Sequence, residues 1–431
     1  MSAQTRLETP PGYRVQTAET LPWLLAERPT RDVLGGAPEA WRIEEVGDGN
    51  LNLVFIVRGP DAALAVKQAL PYVRLVGESW PLPLSRAHYE HMALRAQARL
   101  APGLVPAVLH YDADLALIAM EYLAPHIIMR QGMIEGTIYP RFAQDIATFM
   151  AGTLFGTSAL AQSADAMKAA MADFAGNTAL CKITEDLIFS EPYMVASNNR
   201  WTAPWLDGYA AAVRTDADLR RAVSRLKLKF MGAPEAMIHG DLHTGSVMLT
   251  PQDTRVIDPE FSFMGPMGFD VGALIANLLL NYFSQIGHEA SPGARDAYRL
   301  WILETIDATW RLFRQKFLDL WRAQPTGDGF AAAMFADPLG ALALEAEREA
   351  YMDRLFEDAL GFAGAKMIRR ILGLAHNIDL EWIADEKRRA TAEARALTLA
   401  RDLMVNTDRY RTIGAVTAAA ARTNALSPDF G

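Results

Sequence analysis

The sequence predicts an α+β protein of two unequal lobes, a small antiparallel β-rich lobe over residues 1–123 and a larger, mainly helical lobe over residues 124–431. Three observations predict it. Hydrophobic residues alternate with a period of two in the strand-like segments between residues 41 and 122, whereas a helical period prevails from about residue 139. Clusters of Gly, Asp, Asn and Pro punctuate the first region with the chemistry of tight antiparallel turns. The chain has 431 residues, 51% of them hydrophobic, which is enough to give each lobe a core.

In chain order, the first thirty-odd residues, including Thr20-Leu21-Pro22-Trp23, are expected to form a helical extension packed on the small lobe. Trp41–Val46, Leu51–Val57 and Ala62–Lys67 read as strands, separated by the turns Gly47-Asp48-Gly49-Asn50 and Arg58-Gly59-Pro60-Asp61. Ser85 is a good N-cap for a helix running to about Leu100, which Pro102-Gly103 stops. Val105–His110 and Leu115–Tyr122 read as a second strand pair, and Glu121 to Pro125 joins the lobes. Beyond the joint, helices are expected over Phe142–Leu160, Pro204–Leu226, Pro292–Ala323, Leu339–Leu360, Ala363–His376 and Lys387–Val405, with one strand-rich insert at Ala236–Phe261. A ligand site between two such lobes is the natural expectation.

Composition excludes several classes. Lys plus Arg number 42 against 51 Asp plus Glu, a net charge of −9, so the chain lacks the basic excess that displaces counterions from nucleic acid. Cys181 is the one cysteine, so no intrachain disulfide forms and a reducing, cytoplasmic setting is expected. The segment MSAQTRLETPPGYRV has no apolar run of signal-peptide type, and Val271–Leu280, bounded by Asp270 and Asn281 and carrying Asn277, reads as too short and too polar to span a membrane.

The residues that could do chemistry fall into three groups. The densest is His239-Gly240-Asp241-Leu242-His243-Thr244-Gly245-Ser246, followed by Val256-Ile257-Asp258-Pro259-Glu260. Apolar runs precede Asp241 and Asp258, so each ends a short strand, and carboxylates converging there repel unless a cation intervenes. Oxygen ligands favour Mg²⁺ over zinc. The second group is the hairpin tip Gly47-Asp48-Gly49-Asn50, whose glycines Gly47 and Gly49 let backbone N–H groups approach phosphate oxygens. The third is Lys67 at the end of a strand, where an anion must meet an inward ammonium. Glu90 is available to it, although Glu90 also stands four residues after Arg86 on its own helix.

Glycine hairpin, strand lysine, helix glutamate, connector, loop aspartate and metal-side aspartate follow the order of the protein-kinase-like fold of aminoglycoside and choline kinases. More narrowly, Gly47 to Phe55, Val76 to Leu82, His239 to Ser246, Asp258 to Phe261, Gly265 to Asp270 and Met367-Ile368-Arg369-Arg370 resemble the 5-methylthioribose kinase family over about residues 40–385. Ser246 replaces the usual metal-binding Asn, and Asp258-Pro259-Glu260 replaces the usual D-F-G, with Glu260 as substitute ligand.

The resemblance implies transfer of the ATP γ-phosphoryl group to the anomeric 1-hydroxyl of methylthioribose, in methionine salvage. It implies ATP contacts at Asn50, Lys67, Glu121, Tyr122, Leu123, Asp258, Pro259 and Glu260, with Mg²⁺ on Asp258 and Glu260. It makes Asp241 the catalytic, substrate-binding aspartate and carries Arg369 and Arg370 to the substrate, with Glu90, Gly47 and Gly49 in support. It also implies a homodimer. Three other readings remain open at this level: a kinase for another sugar, aminoglycoside or amino alcohol, a hydrolase with a metal on His239, Asp241 and His243, and an inactive kinase-like binding module.

Overall fold

The computed structural model describes residues 9–47, 51–74 and 77–430. A five-stranded antiparallel sheet forms from β1 (Arg42–Val46), β2 (Asn52–Arg58), β3 (Ala63–Ala69), β4 (Val108–Asp112) and β5 (Leu117–Glu121), in the order β1-β2-β3-β5-β4. Helix α1 (Arg86–Leu100) enters the chain between β3 and β4. Ser85 does not cap it with its side chain, contrary to the sequence expectation; its backbone is already helical and its carbonyl accepts from His88 N at 2.9 Å.

The pleat sorts β3 into two faces. Leu64, Val66 and Gln68 are buried, and the first two join Phe55, Val57, Leu115, Leu117 and Ala119 in one core. The expected N-terminal helical extension covers this core as two short helices, Leu21–Ala26 and Thr30–Leu34, through Leu21, Leu24, Leu25 and Leu34. Ala65 and Lys67 therefore face the other way, toward the second lobe, because successive strand residues point to opposite faces. Two-residue periodicity alone delivers the lysine to the cleft.

The rest of the chain is mostly helical, around α2 (Phe142–Gly156), α3 (Met267–His288), α4 (Asp296–Ala323), α5 (Pro338–Leu372) and α6 (Glu386–Val405). Helix α3 is the spine: every residue from Met267 to Gln285 is buried. Among the described residues it alone is long and apolar enough to cross a membrane, and its most apolar stretch is wholly buried inside the fold. The sequence showed only its centre, Val271–Leu280, because a helix apolar on all sides lacks an amphipathic stripe.

Other boundaries moved for identifiable reasons. The segment read as one helix over Pro204–Leu226 is two, Asp207–Thr215 and Ala217–Gly232, because the Asp216 carboxylate restarts the chain by accepting from Asp218 N and Leu219 N, each at 3.0 Å. The two helices read over Leu339–Leu360 and Ala363–His376 are instead the single 35-residue α5. Its Gly364 does not break it but admits a neighbour, since a Cβ there would stand 2.5 Å from Ala400 O of α6. On the other side Gly272 of α3 lies so close to α5 that its Cβ would meet Ala359 O at 2.3 Å. Small residues thus let α3, α5 and α6 pack with their backbones nearly touching, and this fixes what α5 presents to the cleft. Helices Ala164–Phe174, Thr178–Phe189 and Ile413–Asn424 complete the lobe without having been expected.

The strand-rich insert is present as Val247–Leu249 paired with Thr254–Val256 and Ile127–Ile128, and as Ala236–Ile238 paired with Phe263–Gly265. Both expected acidic segments leave the ends of these strands.

Candidate active site

Lys67 leaves β3 into a cluster of carboxylates. Its ammonium donates to Glu90 of α1 at 2.9 Å and also pairs with Asp258. Burial by itself would depress the lysine, but Asp258, Glu90 and Glu260 outweigh it and raise its pKa, so it stays charged. Glu90, buried in the same cluster, is pushed up by desolvation against the pull of Lys67. The Glu90 pairing expected from sequence is therefore the one formed.

Arg86 goes elsewhere. Its guanidinium, 1% exposed, reaches Glu260 at 3.3 Å, the Asn52 amide oxygen at 3.0 Å and the carbonyls of Leu70 and Leu51 at 2.7 and 3.0 Å. Asn52 donates in turn to Glu260 at 3.0 Å. Arg86 thus pins the start of β2, through Asn52, to Glu260. Asn50, Asp48 and Gly49 lie outside the described residues, as does Val76; Gly47, at the start of the hairpin, has open space around its Cα.

Ligand oxygens of Glu90, Asp258 and Glu260 lie within 4.8 Å of one another. All three are hard oxygen donors, a set that suits Mg²⁺ and does not suit zinc. Asp258 adopts a left-handed backbone, φ +69°, a conformation Asp tolerates better than most residues. Ser246, standing where a metal-binding Asn is usual, donates to Asp241 O at 2.8 Å and so braces the loop.

The loop carrying Asp241 is held from three directions. Asp270 of α3 accepts from His239 N at 2.6 Å and Gly240 N at 3.0 Å. The His239 ring donates through Nε2 to Ile257 O at 2.9 Å, which leaves Nδ1 to accept from Asp241 N at 3.3 Å. Gly240, at φ +83°, admits no side chain, because a Cβ would lie 2.1 Å from Phe261 O. His243 Nδ1 accepts from Gly245 N at 2.9 Å, so its proton sits on Nε2 and points to Asp241 Oδ2, 3.3 Å away. Burial lowers the His243 pKa to about 3, so this imidazole is neutral. No helix places His239 and His243 on one face, which removes the basis for a zinc reading.

Asp241 faces cations. Lys366 of α5 donates to Oδ1 at 2.7 Å. Burial works against the charged carboxylate, yet Lys366, His243 and Arg370 hold its pKa well below the ordinary value. Arg369 and Arg370 follow Lys366 by three and four residues, one helical turn, and each donates to Ala375 O, at 3.2 and 3.0 Å. The Nε atoms of both arginines are buried and unpaired. Burial lowers both guanidinium pKa values, and the neighbouring charge of Arg369 lowers that of Arg370 further. The expected arginine pair is thus brought to the loop aspartate.

At the lobe junction Glu121 uses its carboxylate on Ala107 N, at 3.1 Å, and on Arg255, at 3.2 Å. Tyr122 lies under Arg58, its ring centroid 4.8 Å from the guanidinium carbon, and Leu123 is buried. The side chains of Glu121 and Tyr122 are occupied in packing the joint.

Sequence reasoning missed Lys366, Asp270 and Arg86 as site residues. Lys366 left one usable trace: a lone lysine in the apolar run Gly361 to Leu372, spaced i+3 and i+4 from the arginine pair.

The family described as "Phosphotransferase enzyme family" matches residues 42–313, more than half of the chain. A methylthioribose kinase of Escherichia coli O45:K1 is 47% identical over 409 residues, covering 94% of this chain and 97% of that protein. Methylthioribose kinase 1 of Oryza sativa subsp. japonica is 47% identical over 384 residues, 89% of each chain. A methylthioribose kinase of Yersinia enterocolitica is 41% identical over 376 residues, 86% of this chain and 90% of its own.

Proposed function

The chain belongs to the methylthioribose kinase family, a phosphotransferase family, and from that premise we propose how its residues carry the γ-phosphoryl group of ATP to methylthioribose. The chain is a kinase of methionine salvage that uses ATP as donor. The acceptor is the anomeric 1-hydroxyl. The observation that carries the residue roles is the pairing of two opposed clusters, carboxylates around Lys67 and cations around Asp241.

Lys67, held by Glu90, faces the α- and β-phosphates, and its charge counts for more in a partly dry cleft than in water. Asn50 and the glycines Gly47 and Gly49 offer hairpin contacts to the phosphates, and the backbone of Glu121, Tyr122 and Leu123 borders the base. Asp258 and Glu260, flanking Pro259, would hold Mg²⁺, which when bound offsets charge on the β- and γ-phosphate oxygens. Asp241 accepts the hydrogen bond of the acceptor hydroxyl and aims its oxygen at the phosphorus. A carboxyl so acidic has little affinity for the leaving proton, and a loose phosphoryl transition state asks little of it until the new bond is largely formed. Arg369 and Arg370 meet the transferred group, with planar forks suited to phosphate oxygens.

The lobe boundary lies at residues 123–124, which rests on the change of hydrophobic period and the joint at Glu121 to Pro125; the enzyme is a homodimer, which rests on the family resemblance, and it works in the cytoplasm, which rests on the single cysteine. The substrate reading is tested by ³¹P NMR of the purified protein with ATP, Mg²⁺ and a panel of methylthioribose, glucosamine, choline and an aminoglycoside. A new anomeric phosphate with stoichiometric ADP is expected, with kcat/KM about 100-fold above the other acceptors. Faster turnover of any other panel member overturns the assignment.

A further inference from the structure

Lys366 has the geometry of a residue with a task. It is 3% exposed on α5, in the otherwise apolar run from Gly361 to Ile368, where an unpaired ammonium is strongly disfavoured. Its hydrogen-bonded partner is Asp241 Oδ1, at 2.7 Å, and its ammonium lies 4.8 Å from the centroid of the Phe269 ring on α3. Phe269 immediately precedes Asp270, which holds His239 N and Gly240 N of the same loop. On the opposite side of the carboxylate the neutral His243 presents Nε2–H to Oδ2. Each oxygen of Asp241 therefore has one fixed donor, one from a rigid helix and one from the loop itself.

We propose that Lys366 is a positioning residue for phosphoryl transfer: with His243 it locks the Asp241 carboxylate in a single rotamer and leaves the remaining lone pairs to the acceptor hydroxyl. The proposal rests on Asp241 being the residue that orients the acceptor. Lysine suits the post because its charge is compact and aimed by a straight stem, whereas a guanidinium spreads over a fork too wide for one oxygen. The groups facing Asp241 are Lys366, Arg369 and Arg370 from α5, Arg130 from helix Met129–Glu135, and His239 and His243 from the loop. Lys366 is the one cation among them hydrogen-bonded to the carboxylate. Small errors of placement matter here, since a shift of about 1 Å in an orienting group costs up to about 100-fold in rate.

The test compares Lys366→Met and Lys366→Gln with Asp241→Asn and with the Lys366→Met/Asp241→Asn double variant. In both single Lys366 variants kcat is expected to fall by about tenfold to 100-fold, with the KM for ATP nearly unchanged. Loss of the cation lets the Asp241 pKa rise, so the acid limb of the kcat profile should move to higher pH, a change that a purely structural lysine would not produce. In the Asp241→Asn background the methionine substitution should cost nothing more. The glutamine variant keeps a donor in the buried position and serves if the methionine variant does not fold. Wild-type kcat and an unmoved acid limb in the folded Lys366 variants overturn the proposal. A full additional loss in the double variant also overturns it, because Lys366 would then act independently of Asp241, whose own role would stand. Wild-type turnover by Asp241→Asn alone removes the Asp241 reading and the proposal together.

Discussion

Asp241 and Glu260 are both carboxylates at strand exits, yet their surroundings assign them different work. Asp241 is a quarter exposed at the cleft, ringed by cations and kept ionised, which suits an acceptor that aims a hydroxyl. Replacing it with Asn keeps the size but loses the charge. Transfer should fall by about 10²–10⁴ in kcat, with the KM for ATP little changed, as steady-state kinetics would report. The same depressed pKa has a consequence for stability. Folded Asp241 binds its proton less readily than the unfolded chain does, so its contribution is complete above the unfolded carboxylate value of about 3.9 and is lost only as pH falls through the lower folded value. Glu260 is nearly sealed, holds Arg86, and in the proposed reading also ligates Mg²⁺. An alanine there would strand the buried guanidinium and confuse the two roles, so Glu260→Gln is the sharper substitution. It should raise the Mg²⁺ concentration for half-maximal activity by about tenfold while the melting temperature moves by a few degrees at most. An unchanged Mg²⁺ requirement would reduce Glu260 to an anchor for Arg86.

At the scale of the element, α5 is the part that completes the site. Its glycine- and alanine-lined contacts with α3 and α6 set the height of Lys366, Arg369 and Arg370 over the loop that carries Asp241. Adjacent helix residues point about 100° apart, yet Arg369 and Arg370 converge on one carbonyl, Ala375 O, just past the helix end, and each keeps a buried Nε without a partner. Burying a guanidinium with an unused donor is costly unless a ligand completes it. At least one of Arg369→Lys and Arg370→Lys should therefore lower kcat by about tenfold or more with far-UV circular dichroism unchanged, because lysine keeps the charge but not the fork. Full kcat in both variants would make the pair structural. The sequence showed this element in two pieces, divided at Gly361-Phe362; in the fold Gly361 and Gly364 are places where a neighbouring side chain or backbone comes close.

Across the whole molecule, Lys67 and Asp258 tie the β-rich region to the helical one, 191 residues apart in sequence. In the proposed reading ATP engages both sides at once, and a ligand that binds only the folded state stabilises it by about 2.7 kcal/mol at 100 times its Kd. Lys67→Met should raise the KM for ATP, lower kcat and shrink the thermal stabilisation that Mg·ATP confers, all on a chain that still melts cooperatively. Undiminished stabilisation, read by differential scanning fluorimetry, would make Lys67 an ordinary strand-end lysine that neutralises Glu90.

The sequence by itself determined the local frame of this protein: the alternation that turns Lys67 toward the cleft, the hairpin and loop glycines, and the strand exits at Asp241 and Asp258. These depend on neighbours one to four residues away, and so does the family motif that marks Arg369 and Arg370. Only the tertiary structure decided which charges meet. Lys366 reaches Asp241 across 125 residues, and Arg86 passes over Glu90, one turn away on its own helix, to pair with Glu260. It also decided that α3 and α5 are long and continuous. The physical reason is common to these cases. A buried charge takes the partner that best offsets its desolvation, and an all-apolar helix is stabilised by the core around it, so both outcomes depend on packing between segments distant in sequence.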